Sequence, residues 1–130
     1  MKRSIFLLIC AILAFAFGSM MFFLPGLAAM ALGLAALPET SSVLRGMGGL
    51  IIGSGIINFL LRNSNDNATL EAIFLTNIIT HILGLSADIW GVVDGVLTTS
   101  RIAPVETTHL FVAIGSLIYL LSVRSRPGVA

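Results

Sequence analysis

The stretch that most restricts what this chain can become is Ile5 to Leu24, an unbroken apolar run preceded by Lys2 and Arg3 and closed by Pro25-Gly26. About 20 such residues in helical form cover the ~30 Å of a bilayer's hydrocarbon core. Hydrocarbon offers no partner to a backbone N–H or C=O, so a segment that enters it must be a helix or part of a closed barrel. A cleaved signal peptide would also open on basic residues, with Ala14-Phe15-Ala16 as a small-residue site. Signal cores are shorter, about 7–15 residues, and this run continues through Met20-Met21-Phe22-Phe23, which predicts a retained helix over about residues 4–24. Cys10, the only cysteine, lies inside the same run and is read as a buried, inert thiol. It excludes an intramolecular disulfide and a cysteine metal cluster.

Three further apolar segments predict spans over about 43–61, 70–89 and 106–123. Between the first two lies Leu27 to Leu37, bounded by Pro25 and Pro38 and too short to cross; it reads as interfacial or re-entrant. The whole chain is 57% hydrophobic and 10% charged, against about 25% charged in soluble domains. The expected fold is an all-α integral membrane four-helix bundle, a single domain over 1–130, with that short segment after its first helix. A net charge of +1 without a basic cluster excludes a nucleic-acid partner.

The second span carries Arg45-Gly46-Met47-Gly48-Gly49-Leu50-Ile51-Ile52-Gly53-Ser54-Gly55. Glycines would weaken this helix in water by roughly 1 kcal/mol each relative to alanine, whereas in lipid they form a surface for close packing. Gly49 and Gly53 make a GxxxG pair, extended by Gly46, and are assigned to helix packing within the subunit or to a homo-oligomer. Arg62-Asn63-Ser64-Asn65-Asp66-Asn67 is a polar turn, Trp90 an interfacial anchor, and Gly91 to Pro104 a polar connection to the last helix.

With both termini in the cytoplasm that side carries Lys2, Arg3, Arg62, Arg124 and Arg126, and the other side Arg45 and Arg101. The asymmetry predicts N-in, C-in topology.

Arg45-Gly46-x-Gly48-Gly49 followed by Gly53-x-Gly55, then Asp94-Gly95 after the third helix, a last helix preceded by Glu106, and Pro25 closing the first, together resemble the DUF4345 family of small bacterial four-helix membrane proteins. The resemblance implies a membrane protein and the four-helix arrangement, and the expected location is a bacterial cytoplasmic (inner) membrane. It implies no activity.

Ionisable groups within or near a membrane are costly and are site candidates by default. Here they are Arg45, His81, Asp88, Asp94, Glu106 and His109, with Asn58, Asn77 and Thr80 as neutral polar groups. Asn77, Thr80, His81, Gly84 and Asp88 follow steps of three and four, so they share one helix face that should turn inward. Arg45 shares its expected depth with Asp88 and Asp94, which suggests either an internal ion pair or a ligand site built from Arg45, His81, Asp88 and Asp94. His81, Asp88 and His109 could meet on a metal only through tertiary packing, so no metal and no cofactor is expected. Neither GxSxG nor a nucleotide-binding glycine motif in its strand–turn–helix setting occurs.

The function expected is that of a small membrane protein without recognisable catalytic machinery, a structural or accessory subunit of a larger membrane complex or a homo-oligomer. The alternatives are a binding protein or enzyme for a lipid-like molecule, and a small transporter or channel. Proton-coupled exporters of this size need a carboxylate deep in the first helix, and Ile5 to Leu24 has none.

Overall fold

The computed structural model describes residues 1–125; Arg126, counted above for topology, lies outside the described residues. The described residues form five helices, α1 (Arg3–Phe23), α2 (Pro25–Leu32), α3 (Pro38–Leu61), α4 (Asn67–Val93) and α5 (Thr99–Arg124). All but α2 are long and apolar enough to cross a membrane. At ~1.5 Å per residue they measure roughly 32 to 40 Å.

The expected short segment after the first span is α2. Pro25 sits in its first turn, where a missing N–H costs nothing. Gly33 ends it at φ 78°, a left-handed turn that lets the Leu34 N–H reach the Ala29 carbonyl at 2.8 Å. Helix therefore covers only the front of the expected 27–37 stretch, and Leu34 to Leu37 connect to α3 without regular structure. The start of α4 is fixed by Asp66, whose carboxylate accepts from the Thr69 N–H at 2.8 Å and the Thr69 hydroxyl at 2.5 Å.

The largest departure from expectation is α5, which begins at Thr99 instead of near Glu106 and carries Pro104 inside it. A proline forfeits one bond to the carbonyl four residues back, here Ser100 in the first turn. The hydroxyls of Thr107 and Thr108 donate to the carbonyls of Ala103 and Pro104 at 2.9 and 3.1 Å and hold the turn that follows. Most of the expected polar connection is thus helical, and the link shrinks to Asp94–Thr98, with Gly95 at φ 72°.

The helices pack as two antiparallel pairs, α1 on α3 and α4 on α5. In the first pair glycines allow backbone to meet backbone. A Cβ at Gly48 would lie 2.7 Å from the Gly18 carbonyl oxygen and 2.7 Å from the Phe22 nitrogen. One at Gly55 would lie 3.1 Å from the Ala14 methyl. The expected packing glycines are offset from this contact: Gly46 and Gly53 have nothing within 4 Å, and Gly49 meets only the Phe22 ring, at 3.7 Å. The face that packs is Gly48–Ile52–Gly55, rotated from Gly49–Gly53 by one residue, ~100° of helix.

The pairs join at the end that holds both termini, through a core of Phe6, Leu7 and Cys10 from α1, Leu70, Ile73 and Phe74 from α4, and Val112, Leu120 and Val123 from α5. Tyr119 lies against both Phe6 and Phe74, with ring centroids 5.0 and 5.7 Å away. Farther along, α3 and α4 are clamped by two buried amides. Asn77 donates to the Asn58 side-chain oxygen at 2.9 Å, and Asn58 donates back at 3.3 Å and to the Ser54 carbonyl at 2.9 Å. At the opposite end Met21, Ala28, Ala29 and Leu44 pack α2 between α1 and α3. Arg101 reaches from α5 to the Met30 carbonyl at 3.0 Å.

Candidate functional site

Polar side chains collect along the seam between α4 and α5, in the half near α2. On α4, His81 and Asp88 are two turns apart; on α5, Glu106 and His109 are one turn apart. Both spacings put the pair on one face of its helix, and the two faces meet. The His81 and His109 Nδ1 atoms are 2.8 Å apart, so one carries the shared hydrogen and the other accepts it. The second nitrogen of His109, Nε2, lies 3.7 Å from the Asp88 carboxylate, within ion-pair range and beyond a hydrogen bond. This chain of groups needs Gly84, since any Cβ there would come within 2.6 Å of the His109 ring.

Glu106 lies beside Asp88. Both its carboxylate oxygens are shielded from solvent and accept from no N–H or hydroxyl donor, so the Asp88 carboxyl is the one polar group against them. It also lines a groove of about 490 Å³ between α4 and α5, whose other walls include Leu85, Ile89, Val92, Ile102 and Leu110. An unpartnered buried carboxyl is costly. Here it faces an apolar trough and borders a histidine pair, so the arrangement can receive a hydrogen-bond donor or a cation carried on an apolar body. It can also hold or pass a proton between carboxyl and imidazole. No serine or cysteine is placed beside either histidine as an activated nucleophile among the hydrogen bonds of the described residues. No three His, Cys, Asp or Glu side chains converge as a metal site among the described residues.

The structure separates the four residues assigned to a ligand site from sequence. His81 and Asp88 belong to the cluster. Arg45 does not: it is exposed on α3, which packs against α1, whereas the acids sit on α4 against α5. The ion pair expected between Arg45 and Asp88 or Asp94 is therefore not formed. Asp94 is exposed at the C-terminal cap of α4, outside the cluster. The inward face expected on α4 holds for Asn77, His81, Gly84 and Asp88, while Thr80 is exposed at its edge. The expected span over about 106–123 puts Glu106 and His109 in the first turn of the last helix. The longer α5 sets them two turns into the helix, and their Glu-x-x-His step is the signal that a reading of the sequence without it misses. Compared with known proteins, the chain matches no family model, no curated protein and no solved structure.

Proposed function

We propose that this chain is a multi-pass integral membrane protein that binds an amphiphile in the α4/α5 groove, holding an amine- or hydroxyl-bearing head at Glu106. The observation that carries the reading is the Glu106 carboxyl, its oxygens shielded from solvent and met by no N–H or hydroxyl donor, with only the Asp88 carboxyl beside it, in the wall of a groove whose other lining is apolar apart from Thr99 and Thr107. A bilayer setting is supported by four apolar helices whose outward side chains include Leu50, Trp90 and Val93, each more than two-thirds exposed. Isolated apolar residues on a surface mean little, but helix after helix of them would not stay dispersed in water. With the termini in the cytoplasm, as the basic residues suggest, the groove opens in the outer leaflet. Membership of the DUF4345 family and a bacterial inner-membrane location belong to the same proposal, supported by the glycine motif and the Asp94-Gly95 turn.

The test is thermal unfolding of the detergent-purified chain with a long-chain amine, a long-chain alcohol or a fatty acid of equal length. The amine and alcohol are expected to raise the midpoint and the fatty acid to leave it unchanged. A ligand at a hundred times its Kd stabilises by ~2.7 kcal/mol. Glu106→Leu abolishes the effect, and Arg45→Ala keeps it. Equal stabilisation by all three amphiphiles, or an undiminished response in Glu106→Leu, would refute the assignment.

A subunit or homo-oligomer role keeps one support, the outward face of α3, where Gly46 and Gly53 stand in open space beside exposed Leu50, Ile57 and Leu60. Mass determination in mild detergent addresses it. A transport path has less support, because the end of the bundle that holds the termini is filled by an apolar core with the packed rings of Phe6, Phe74 and Tyr119.

A further inference from the structure

At the other end of the molecule, where α1 begins and α3 ends, Arg3, Ser4, Arg62, Asn63 and Asn65 line an open polar depression of about 320 Å³. Its two cations come from different helices and are each held by a backbone carbonyl. Arg3 Nη2 donates to the Ser64 carbonyl at 2.5 Å. Arg62 donates to the Phe59 carbonyl and lies over the Phe59 ring, 3.9 Å from its centroid. A guanidinium has five N–H donors, so most remain free, and Arg3 Nε is buried without any partner. Among the described residues neither arginine is paired with a carboxylate. The ion pairs of the described residues are His109–Asp88 and Arg124–Glu71, and the nearest acid in sequence, Asp66, is committed to capping Thr69.

Two guanidiniums at the rim of one depression make it electropositive, and their planar donor forks match phosphate oxygens. Lys2 and the uncapped first turn of α1 add positive potential on the same side. The depression also carries hydroxyl and amide groups, from Ser4, Asn63 and Asn65, that suit the remaining oxygens. We infer that this depression is a phosphate-group site, filled by a phospholipid headgroup or by free phosphate, and separate from the Glu106 groove.

The experiment is thermal unfolding of the full chain in a phosphate-free, non-ionic detergent, with inorganic phosphate, short-chain phosphatidylglycerol or the matching diacylglycerol. Phosphatidylglycerol raises the midpoint, diacylglycerol does not, and added salt weakens the effect. Arg62→Gln loses at least tenfold in apparent affinity, and Arg62→Lys loses less. Asn65→Asp, an exposed change that places a carboxylate in the depression and spares both arginines, also abolishes it, and it serves if the arginine variant fails to fold. Stabilisation by the lipid alone assigns a headgroup, and equal stabilisation by inorganic phosphate assigns the free ion. Stabilisation by diacylglycerol as strong as by phosphatidylglycerol, no response to either phosphate source, or an unchanged response in Asn65→Asp would overturn the inference.

Discussion

Adding one methyl group at successive glycines of α3 tests the packing of this molecule. At Gly48 the new Cβ would lie 2.7 Å from two backbone atoms of α1, the Gly18 oxygen and the Phe22 nitrogen. Neither can swing aside as a side chain could, so the helices must separate by ~0.7 Å to reach an ordinary 3.4 Å contact. A gap of that size forfeits a quarter to a half of each van der Waals well along the face. Overpacking of a filled interface costs ~1–3 kcal/mol, and a purely backbone contact belongs at the upper end. Alanine returns at most the ~1 kcal/mol of helix propensity it gains in water, leaving Gly48→Ala destabilised by at least about 2 kcal/mol. At roughly 4 °C per kcal/mol the unfolding midpoint falls by ~8 °C or more.

The controls come from the same helix. Gly55→Ala meets the Ala14 methyl at 3.1 Å and the Ala11 oxygen at 3.3 Å, so its cost is smaller than at Gly48. Gly46→Ala and Gly53→Ala meet nothing within 4 Å and keep only the propensity gain. Thermal unfolding of the four variants in one detergent, followed by circular dichroism, reads the series directly. The expected order of stability is Gly46 and Gly53 variants above wild type, Gly55→Ala below it, and Gly48→Ala lowest. Gly48→Ala unchanged would mean that α1 and α3 do not approach as described. Losses at Gly46 and Gly53 matching that at Gly48 would mean that a second chain covers the outward face.

Other perturbations bear on the clamp, the seam and the cap. Asn58→Ala or Asn77→Ala leaves a buried amide unpaired, at about 1–3 kcal/mol, while replacing both with leucine recovers much of the loss in the same unfolding assay. Gly84→Ala drives a Cβ into the His109 ring, so it should displace the imidazole from His81 and shift both histidine NMR resonances while the helix content stays constant. The Asp66 carboxyl is held below its usual range first by the Thr69 hydroxyl and then by the Thr69 N–H. Its stabilising effect is therefore full above the ordinary aspartate pKa and is lost as pH falls through the depressed folded value. Asp66→Asn should flatten that part of the acid unfolding profile and keep the cap, whereas Asp66→Ala lowers stability at neutral pH as well.

Hydropathy is a sum over neighbours in sequence, so the four long helices were legible from their apolar runs and the short fifth from Pro25 and its length. Contacts between helices are not local sums. Which glycine stripe packs depends on which helix lies against it, and Gly48 differs from Gly49 only by a rotation that no property of α3 alone determines. The same limit explains Arg45. Matching depth made a pair with Asp88 look sensible, yet α3 chose α1 and left the acids to α5. The error at Glu106 has a different origin. Pro104 closes the polar connection expected from sequence, yet in the structure it lies inside α5, forfeiting the bond to the Ser100 carbonyl while the helix continues through it. Once α5 is extended to Thr99, Glu106 and His109 fall one turn apart inside it, opposite His81 and Asp88. A helix boundary misplaced by two turns was therefore enough to move a buried carboxyl to the surface and to hide the groove it lines.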